Sequence, residues 1–298
     1  MSETFDPIPP TKGWDFSTYS NWTQMDYWVN NIIAVEGADE GVTVEVIGTT
    51  YEGRNLYAFE IPATNPDYNE WKQGTIVIQC GLHAREWITP KFCEYFTHSV
   101  IWGSYQHLRE NANIMILPLM NPDGYAYTFL GANERGWRKN RAGSDTLAES
   151  CIGVDLNRNT DARWEIGDGA ALSQCSGAHT YRGTSVDSEL ETIARRDYMN
   201  SKFAEGGTND REDIWIGVDA FLDIHSIGDM VYYIGATDYT NSELNHLPKP
   251  DDCNPDNPNQ CFSTHREERQ KEWAEQVFDS IKTDNTDKDS GADKTYKL

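Results

Sequence analysis

A histidine and a glutamate stand three residues apart in one short segment of the chain, at His83 and Glu86. An imidazole and a carboxylate at this spacing can reach one metal ion from a single turn, and zinc accepts both kinds of ligand. The segment lies between a β-branched run and a Thr-Pro pair, so it is expected to connect a strand to a helix. The same spacing is also common by chance on protein surfaces. The spacing alone therefore leaves two interpretations open, a metal site and an unrelated pair of surface residues.

A third candidate ligand, His225, closes the apolar segment 220–224, which is typical of a β-strand. In α/β folds, functional side chains gather beyond the carboxyl ends of the strands, where this imidazole would stand. A histidine at such a place can also be a core residue whose hydrogen bonds are satisfied. The residue itself therefore leaves two interpretations open, a zinc ligand and a structural histidine.

The elements that would position these residues alternate between strands and helices, which indicates an α/β layered fold. The run 75–80 is β-branched and ends at a glycine, so it predicts a buried central strand. Asn21 is expected to cap a first helix whose apolar side chains recur with helical period through Ile33. The other predicted elements are strands at 41–47, 55–61, 113–117 and 220–224 and helices at 188–198 and 264–281.

Another helix is expected to begin directly after the His83 segment. Thr89 followed by Pro90 is typical of an N-cap and a first helical position. The apolar side chains that follow predict that this helix buries a face made of Phe92, Tyr95, Phe96 and Val100.

Composition bounds the class of the protein. With 298 residues, 38% of them hydrophobic, the chain can bury the core of one domain, expected at 14–298, while the proline-containing segment 1–13 is expected to be an extended arm. No apolar stretch approaches the roughly 18 residues of a membrane span. A formal net charge of −23 argues against nucleic acid, because phosphate binding requires clustered Lys and Arg. We expect a monomer that binds neither membrane nor nucleic acid.

The six cysteines indicate an oxidising compartment, because they fall into local pairs and none has the CxxC spacing of a thiolate zinc site. The pairs are Cys80 with Cys93, Cys151 with Cys175, and Cys253 with Cys261. The start of the chain lacks the features of a signal peptide, so a mature secreted form is favoured over a cytosolic protein with reduced cysteines. The polar loop between the last two cysteines is expected to be a surface turn, with a calcium site as the alternative.

Five ordered motifs resemble the pancreatic-type zinc metallocarboxypeptidases A and B, the funnelin group of peptidase family M14. They lie at 83–88, 121–125, 137–139, 155–159 and 224–226. The resemblance runs from about Trp14 to the end of the chain. It implies a single α/β domain with a mixed, mostly parallel twisted sheet sandwiched by helices. It also implies an exopeptidase that hydrolyses the C-terminal peptide bond of peptides and proteins by means of a zinc-activated water.

The resemblance implies a role for each matching residue. His83, Glu86 and His225 are expected to bind one zinc ion, and Asp155 is expected to orient the imidazole of His83. Arg138 corresponds to the residue that stabilises the oxyanion of the transition state.

Substrate binding is implied for three further residues. Arg158, with Asn157 as its partner, corresponds to the group that binds the terminal carboxylate, and Arg85 to a more distant subsite. The Cys151 pair matches a disulfide of the family, and the Cys80 pair matches one of its B-type branch. A cis peptide bond after Ser226 is implied as well.

Parts of the family's machinery have no match in this sequence: the general-base glutamate, the mobile tyrosine and the residue that sets side-chain preference. The stretch after Ile281 resembles the connector ahead of them, so the chain is expected to lack the last strand and the C-terminal helix of the family. Three functions stay open: a carboxypeptidase, a catalytically silent zinc protein that recognises peptide C-termini, and a deacylase of the same fold. The deacylase is disfavoured because Arg138 and Asn157-Arg158 match the peptidases.

Overall fold

Five strands form one mixed sheet in the order β1-β2-β4-β3-β5. β3 pairs in parallel with both β4 and β5, whereas β2 is antiparallel to β1 and β4, so four of these five strands run in one direction. The strands are β1 (Thr43–Thr49), β2 (Asn55–Ile61), β3 (Gly74–Gln79), β4 (Ala112–Leu117) and β5 (Val218–Asp223). The predicted mixed, mostly parallel sheet is confirmed.

This computed structural model describes residues 12–65, 74–110, 112–161, 164, 170–203 and 218–226. The chain divides into the units 1–226 and 227–298, and all described residues belong to the first. The predicted helix 264–281, the Cys253–Cys261 pair and nearly all of the predicted arm 1–13 lie outside the described residues.

Helices cover both faces of the sheet. The α-helices are α1 (Trp22–Tyr27), α2 (Ala34–Glu36), α3 (Ile88–Trp102), α4 (Pro122–Tyr127) and α5 (Leu190–Phe203), with a π-helical segment, Trp28–Ile33, between the first two. Short 3₁₀ turns lie at Ala38–Glu40, Gln106–Glu110, Glu134–Gly136, Glu149–Cys151, Leu156–Arg158 and Gln174–Ser176. None of the described helices is both long enough and apolar enough to cross a membrane.

The hydrophobic core lies on the two faces of the sheet because strand side chains alternate. On β2, Phe59 packs into the cluster that includes Trp28 of the π-helical segment, whereas Ala58 packs into the cluster that includes Tyr198 of α5. Ile116 and Leu117 of β4 divide in the same way. The sheet is therefore sandwiched by helices, as the sequence predicts.

The predicted start of the first helix is confirmed. The Asn21 side chain accepts a hydrogen bond from the backbone of Gln24 at 3.0 Å, and the Gln24 side chain accepts one from the backbone of Asn21 at 2.9 Å, which together form a capping box. The predicted strands 41–47 and 55–61 correspond to β1 and β2, which pair as an antiparallel hairpin.

The predicted start and buried face of α3 are wrong in part. The helix begins at Ile88, and the Thr89 hydroxyl accepts from the backbone N–H of Gly81 at 3.0 Å instead of capping the helix. Phe92 is 37% exposed, because the buried face carries polar groups with distant partners. Lys91 and Glu94 form a buried pair, and Glu94 also accepts from the Trp14 indole at 2.8 Å.

Candidate metal centre

The three predicted metal ligands come from neighbouring strand ends. β3 and β5 are parallel and paired, with Gln79 opposite Asp223, so both strands end at the same edge of the sheet. His83 lies in the turn that follows β3, and His225 lies two residues beyond β5. This is the strand-end convergence that the apolar segments predict.

The turn that carries His83 requires a glycine at its start. Gly81 has φ +66°, and a Cβ there would lie 2.5 Å from the Leu119 side chain, so any other residue would be strained. Two other motifs hold the turn in place. Asn121 donates from Nδ2 to the Leu82 carbonyl at 3.1 Å, and the Ala84 N–H donates to the Arg138 carbonyl at 3.1 Å.

One ligand atom from each of His83, Glu86 and His225 lies within 4.8 Å of the others. His83 Nδ1 is 2.9 Å from Glu86 Oε1, and His225 Nδ1 is 3.1 Å from Glu86 Oε2. The two Nδ1 atoms are 3.0 Å apart. Two imidazole lone pairs repel at this separation unless a proton or a cation lies between them. The donor set of two imidazoles and one carboxylate fits zinc.

The charges of the cluster also fit a cation. Burial would raise the pKa of Glu86, but hydrogen bonds with His225 and His83 hold it well below its usual range, so the carboxylate is ionised. Burial would lower the pKa of His225, but its hydrogen bonds with Asp223 and Glu86 raise it to about 10. A proton on His225 thus supplies positive charge where a metal ion would supply it.

Asp155 connects the candidate metal ligands to the motifs that are predicted to bind substrate. This fully buried carboxylate lies 3.2 Å from His83 Nε2 through Oδ1, and its Oδ2 accepts from Arg138 Nε and Nη2 at 3.0 and 2.9 Å. Its Oδ1 also accepts from the backbone of Asn157 at 3.0 Å, which caps the Leu156–Arg158 turn. Burial would raise the pKa of Asp155, but the bond with His83 and the charge of Arg138 lower it.

The side chains of the other predicted substrate residues make no hydrogen bond to the three candidate ligands in the part of the chain that the structure describes. Arg158 Nη1 donates to the Asn157 carbonyl at 2.8 Å, while its buried Nε has no hydrogen-bond partner among the described residues. Arg85 likewise has a buried Nε without a partner there. The Asn157 side chain is exposed.

A pocket of about 340 Å³ lies beside Lys139, and its lining residues are Trp137, Lys139, Glu149, Ser150, Gly177 and His179. Burial and the positive charges of Arg85, Lys139 and Arg138 lower the pKa of His179, and the charge of Asp155 offsets this in part.

The sequence reasoning missed Asp223. Its Oδ2 lies 3.1 Å from His225 Nε2, on the side of the ring away from Glu86. Side chains two residues apart in an extended chain point to the same side, so the spacing from Asp223 to His225 was the available signal.

The two predicted disulfides whose cysteines lie among the described residues are present: Cys80–Cys93 joins the end of β3 to α3, and Cys151–Cys175 links the two 3₁₀ turns on either side of the Leu156–Arg158 turn. The expected cis peptide involves Ile227, which lies outside the described residues.

Known proteins resemble the chain both in sequence and in structure. Carboxypeptidase B of Rattus norvegicus is 35% identical over 259 residues, covering 84% of this chain and 56% of the relative, and carboxypeptidase O of Bos taurus is 33% identical over 239 residues, covering 78% and 56%. The chain thus spans about half the length of the curated relatives that it matches.

Among solved structures, bovine thrombin-activatable fibrinolysis inhibitor in complex with tick carboxypeptidase inhibitor matches with a TM-score of 0.60 and 29% identity, covering 77% of this chain and 68% of that chain. Carboxypeptidase A from Helicoverpa armigera matches with a TM-score of 0.59 and 31% identity, covering 72% and 48%. The profile of the family Peptidase_M14, zinc carboxypeptidase, matches residues 34–297. The chain therefore belongs to the zinc carboxypeptidase family.

Proposed function

We propose that this protein is a zinc-dependent exopeptidase that hydrolyses the C-terminal peptide bond of peptides and proteins. The observation that carries the proposal is the double role of Asp155, which bonds both a metal ligand, His83, and the candidate oxyanion group, Arg138. One carboxylate thereby fixes the distance between the site of the metal and the positive charge that the reaction needs.

His83, Glu86 and His225 would hold the zinc ion, which supplies Lewis-acid polarisation and makes a water acidic enough to act as a nucleophile near neutral pH. Asp155 accepts the Nε2 proton of His83 and leaves Nδ1 free to act as a ligand. Arg138 uses Nε and Nη2 on Asp155, and its Nη1 makes no hydrogen bond within the described residues. That nitrogen is available to the oxygen on which negative charge develops.

Recognition of the substrate's terminal carboxylate is assigned to Arg158. The Arg158 residue is only partly buried, and its guanidinium can bind a carboxylate through two charge-assisted hydrogen bonds. Asn157 would add an exposed amide next to this guanidinium, and Arg85 would serve a more distant part of the peptide. The three cationic side chains near His179, those of Arg85, Lys139 and Arg138, also favour an anionic chain end.

A zinc protein that binds peptide C-termini without cleaving them is the second candidate. This candidate is favoured because each carboxylate that contacts the ligand histidines in the described chain already has another role. Glu86 is itself a ligand, Asp155 is bonded to Arg138, and Asp223 is bonded to Gln79. None of these three is free to act as the general base.

We also infer that the protein is secreted and acts as a monomer. The Cys80–Cys93 and Cys151–Cys175 disulfides support secretion, because such bonds persist in oxidising compartments.

Two peptides that differ only in a free or an amidated C-terminus test the proposal. The zinc-loaded protein is expected to release the last residue of the free-acid peptide and to leave the amide intact, as followed by mass spectrometry. Tight binding of the free acid without release would favour the silent zinc protein. Equal binding and equal cleavage of the two peptides would contradict both candidate functions.

A further inference from the structure

His83 and His225 present themselves to the metal position in the same way. Each imidazole turns Nδ1 towards Glu86, at 2.9 and 3.1 Å. Each turns Nε2 towards a carboxylate, that of Asp155 at 3.2 Å and that of Asp223 at 3.1 Å. The family resemblance accounts for the first carboxylate and assigns no role to the second.

We propose that Asp223 is a positioning residue for His225: it accepts the Nε2 proton and so fixes the tautomer and ring orientation in which Nδ1 binds zinc. The inference rests on the zinc site of the proposed function. A neutral imidazole can carry its proton on either nitrogen, and only the Nε2 tautomer offers Nδ1 as a ligand. A carboxylate at Nε2 selects that tautomer and strengthens the ligand nitrogen.

Asp223 is itself held in place by the sheet. Its second oxygen, Oδ1, accepts from Gln79 Nε2 at 2.9 Å, and the Gln79 carbonyl oxygen Oε1 accepts from Arg195 Nη1 at 3.1 Å. Gln79 is fully buried at the end of β3 and pairs with Asp223 across the sheet. One oxygen of the carboxylate therefore bonds to Gln79 in the sheet and the other faces His225, so the position of the carboxylate is defined before a metal ion binds.

The amide of Gln79 connects Asp223 to α5. Because Arg195 holds Oε1, the amide nitrogen of Gln79 must face Asp223.

A purely structural role for Asp223, as the partner of Gln79 in the sheet, predicts that replacing Asp223 changes protein stability alone. The positioning role predicts a change in the metal site itself, and this difference separates the two.

The test uses the full chain with Asp223→Asn and Asp223→Ala. Zinc affinity is measured by competition with a chromophoric chelator, and the visible absorption spectrum is recorded after substitution with Co²⁺. Loss of such an outer partner typically weakens metal binding about 10- to 100-fold. We expect that loss for Asp223→Ala, together with a shifted Co²⁺ spectrum. Asp223→Asn keeps an oxygen that can accept from Nε2, so it should recover part of the affinity.

Asp197→Asn is the matched control, because Asp197 is an exposed aspartate that pairs with Arg196 on the surface of α5. It should bind zinc as the unaltered protein does. Zinc affinities of both Asp223 variants within about twofold of the unaltered protein, with an unchanged Co²⁺ spectrum, would overturn the inference while leaving the zinc site intact. Failure of the unaltered protein to bind zinc would overturn the proposed function and this inference together.

Discussion

The Nδ1 atoms of His83 and His225 lie 3.0 Å apart, although 142 residues separate them in the chain. Glu86 contacts both nitrogens, and a separate carboxylate lies behind each ring. Such a concentration of donor atoms around one point destabilises a protein unless positive charge fills it.

Removal of Asp155 should affect the metal site and the fold together. Asp155→Ala leaves the Arg138 guanidinium without its partner in a largely buried position and frees the ring of His83. Breaking a buried pair of this kind costs about 3 to 5 kcal/mol, and loss of the orienting carboxylate should weaken zinc binding about 10- to 100-fold. Urea unfolding of the metal-free protein and chelator competition measure the two effects.

The matched control for Asp155 is Asp197→Ala, which removes only a surface ion pair. It should change the free energy of unfolding by no more than about 1 kcal/mol. A zinc affinity in Asp155→Ala equal to that of the control would show that His83 does not depend on Asp155.

Replacement of Arg158 should remove the preference for a free carboxylate. A charge-assisted hydrogen bond contributes about 1.5 to 3 kcal/mol, so Arg158→Ala should weaken binding of a free-acid peptide roughly 10- to 150-fold. Binding of the amidated peptide should change little. Calorimetry with the two peptides measures both affinities, and Arg196→Ala, on the surface of α5, is the control. Equal losses for both peptides would mean that Arg158 does not bind the terminus.

The Cys80–Cys93 disulfide should stabilise the metal site more than the second disulfide does. Its loop contains both His83 and Glu86, and both of its cysteines are fully buried. Closing a loop of about 15 residues contributes about 3 kcal/mol in the chain-entropy account. The double substitution Cys80→Ala with Cys93→Ala should therefore lower both the stability and the zinc affinity.

The comparison for that variant is Cys151→Ala with Cys175→Ala, whose loop contains Asp155 and Arg158 but none of the three ligands. This second variant should lose stability and lose less zinc affinity than the first, because Asp155 is still held by its hydrogen bonds with Arg138 and His83. Equal zinc affinities in the two double variants would contradict the assignment. Thermal unfolding followed with and without zinc gives both quantities.

Glu191 should make the stability of the protein fall as the pH rises. Burial, together with the charge of Glu189, raises the pKa of this carboxyl to about 8, even though a backbone hydrogen bond and one from Asn140 act to lower it. A raised pKa in the folded state means that the stabilising contribution is complete below about pH 4.5 and is lost as the pH rises through about 8.

Glu191→Gln tests this pH dependence, because the amide has the same shape and no charge. The variant should be more stable than the unaltered protein at pH 9 and should show a flatter slope of the free energy of unfolding between pH 5 and pH 9. Glu60→Gln is the control, because Glu60 is a partly exposed carboxylate that accepts a hydrogen bond from the Tyr198 hydroxyl. Parallel slopes for all three proteins would refute the assignment.

The residues that sequence reasoning predicted well are those whose environment is local. Asn21 caps its helix through a partner three residues away, and the apolar segment before His225 forms most of β5, which ends two residues before that histidine. His83 and Glu86 share one turn, so their spacing alone brought them together.

The features that were missed depend on distant contacts. The polar buried face of α3 exists because Trp14 and Ser20 bond Glu94 and Lys91 from about 70 to 80 residues away. Asp223 had a local signal in its spacing from His225, but its hydrogen bond with Gln79 depends on the register of β5 against β3, which no periodicity reveals. Long-range pairing determines both.

X-ray absorption at the zinc edge, with the metal content measured on the same sample, tests the central claim most directly. The account predicts one zinc ion per chain, with two imidazole nitrogens and oxygen donors at about 2.0 to 2.2 Å. Substituting His225 by alanine should remove one imidazole from the spectrum. A spectrum that contains sulfur at about 2.3 Å, that keeps both imidazoles in the His225→Ala protein, or that cannot be recorded because zinc does not bind would contradict it.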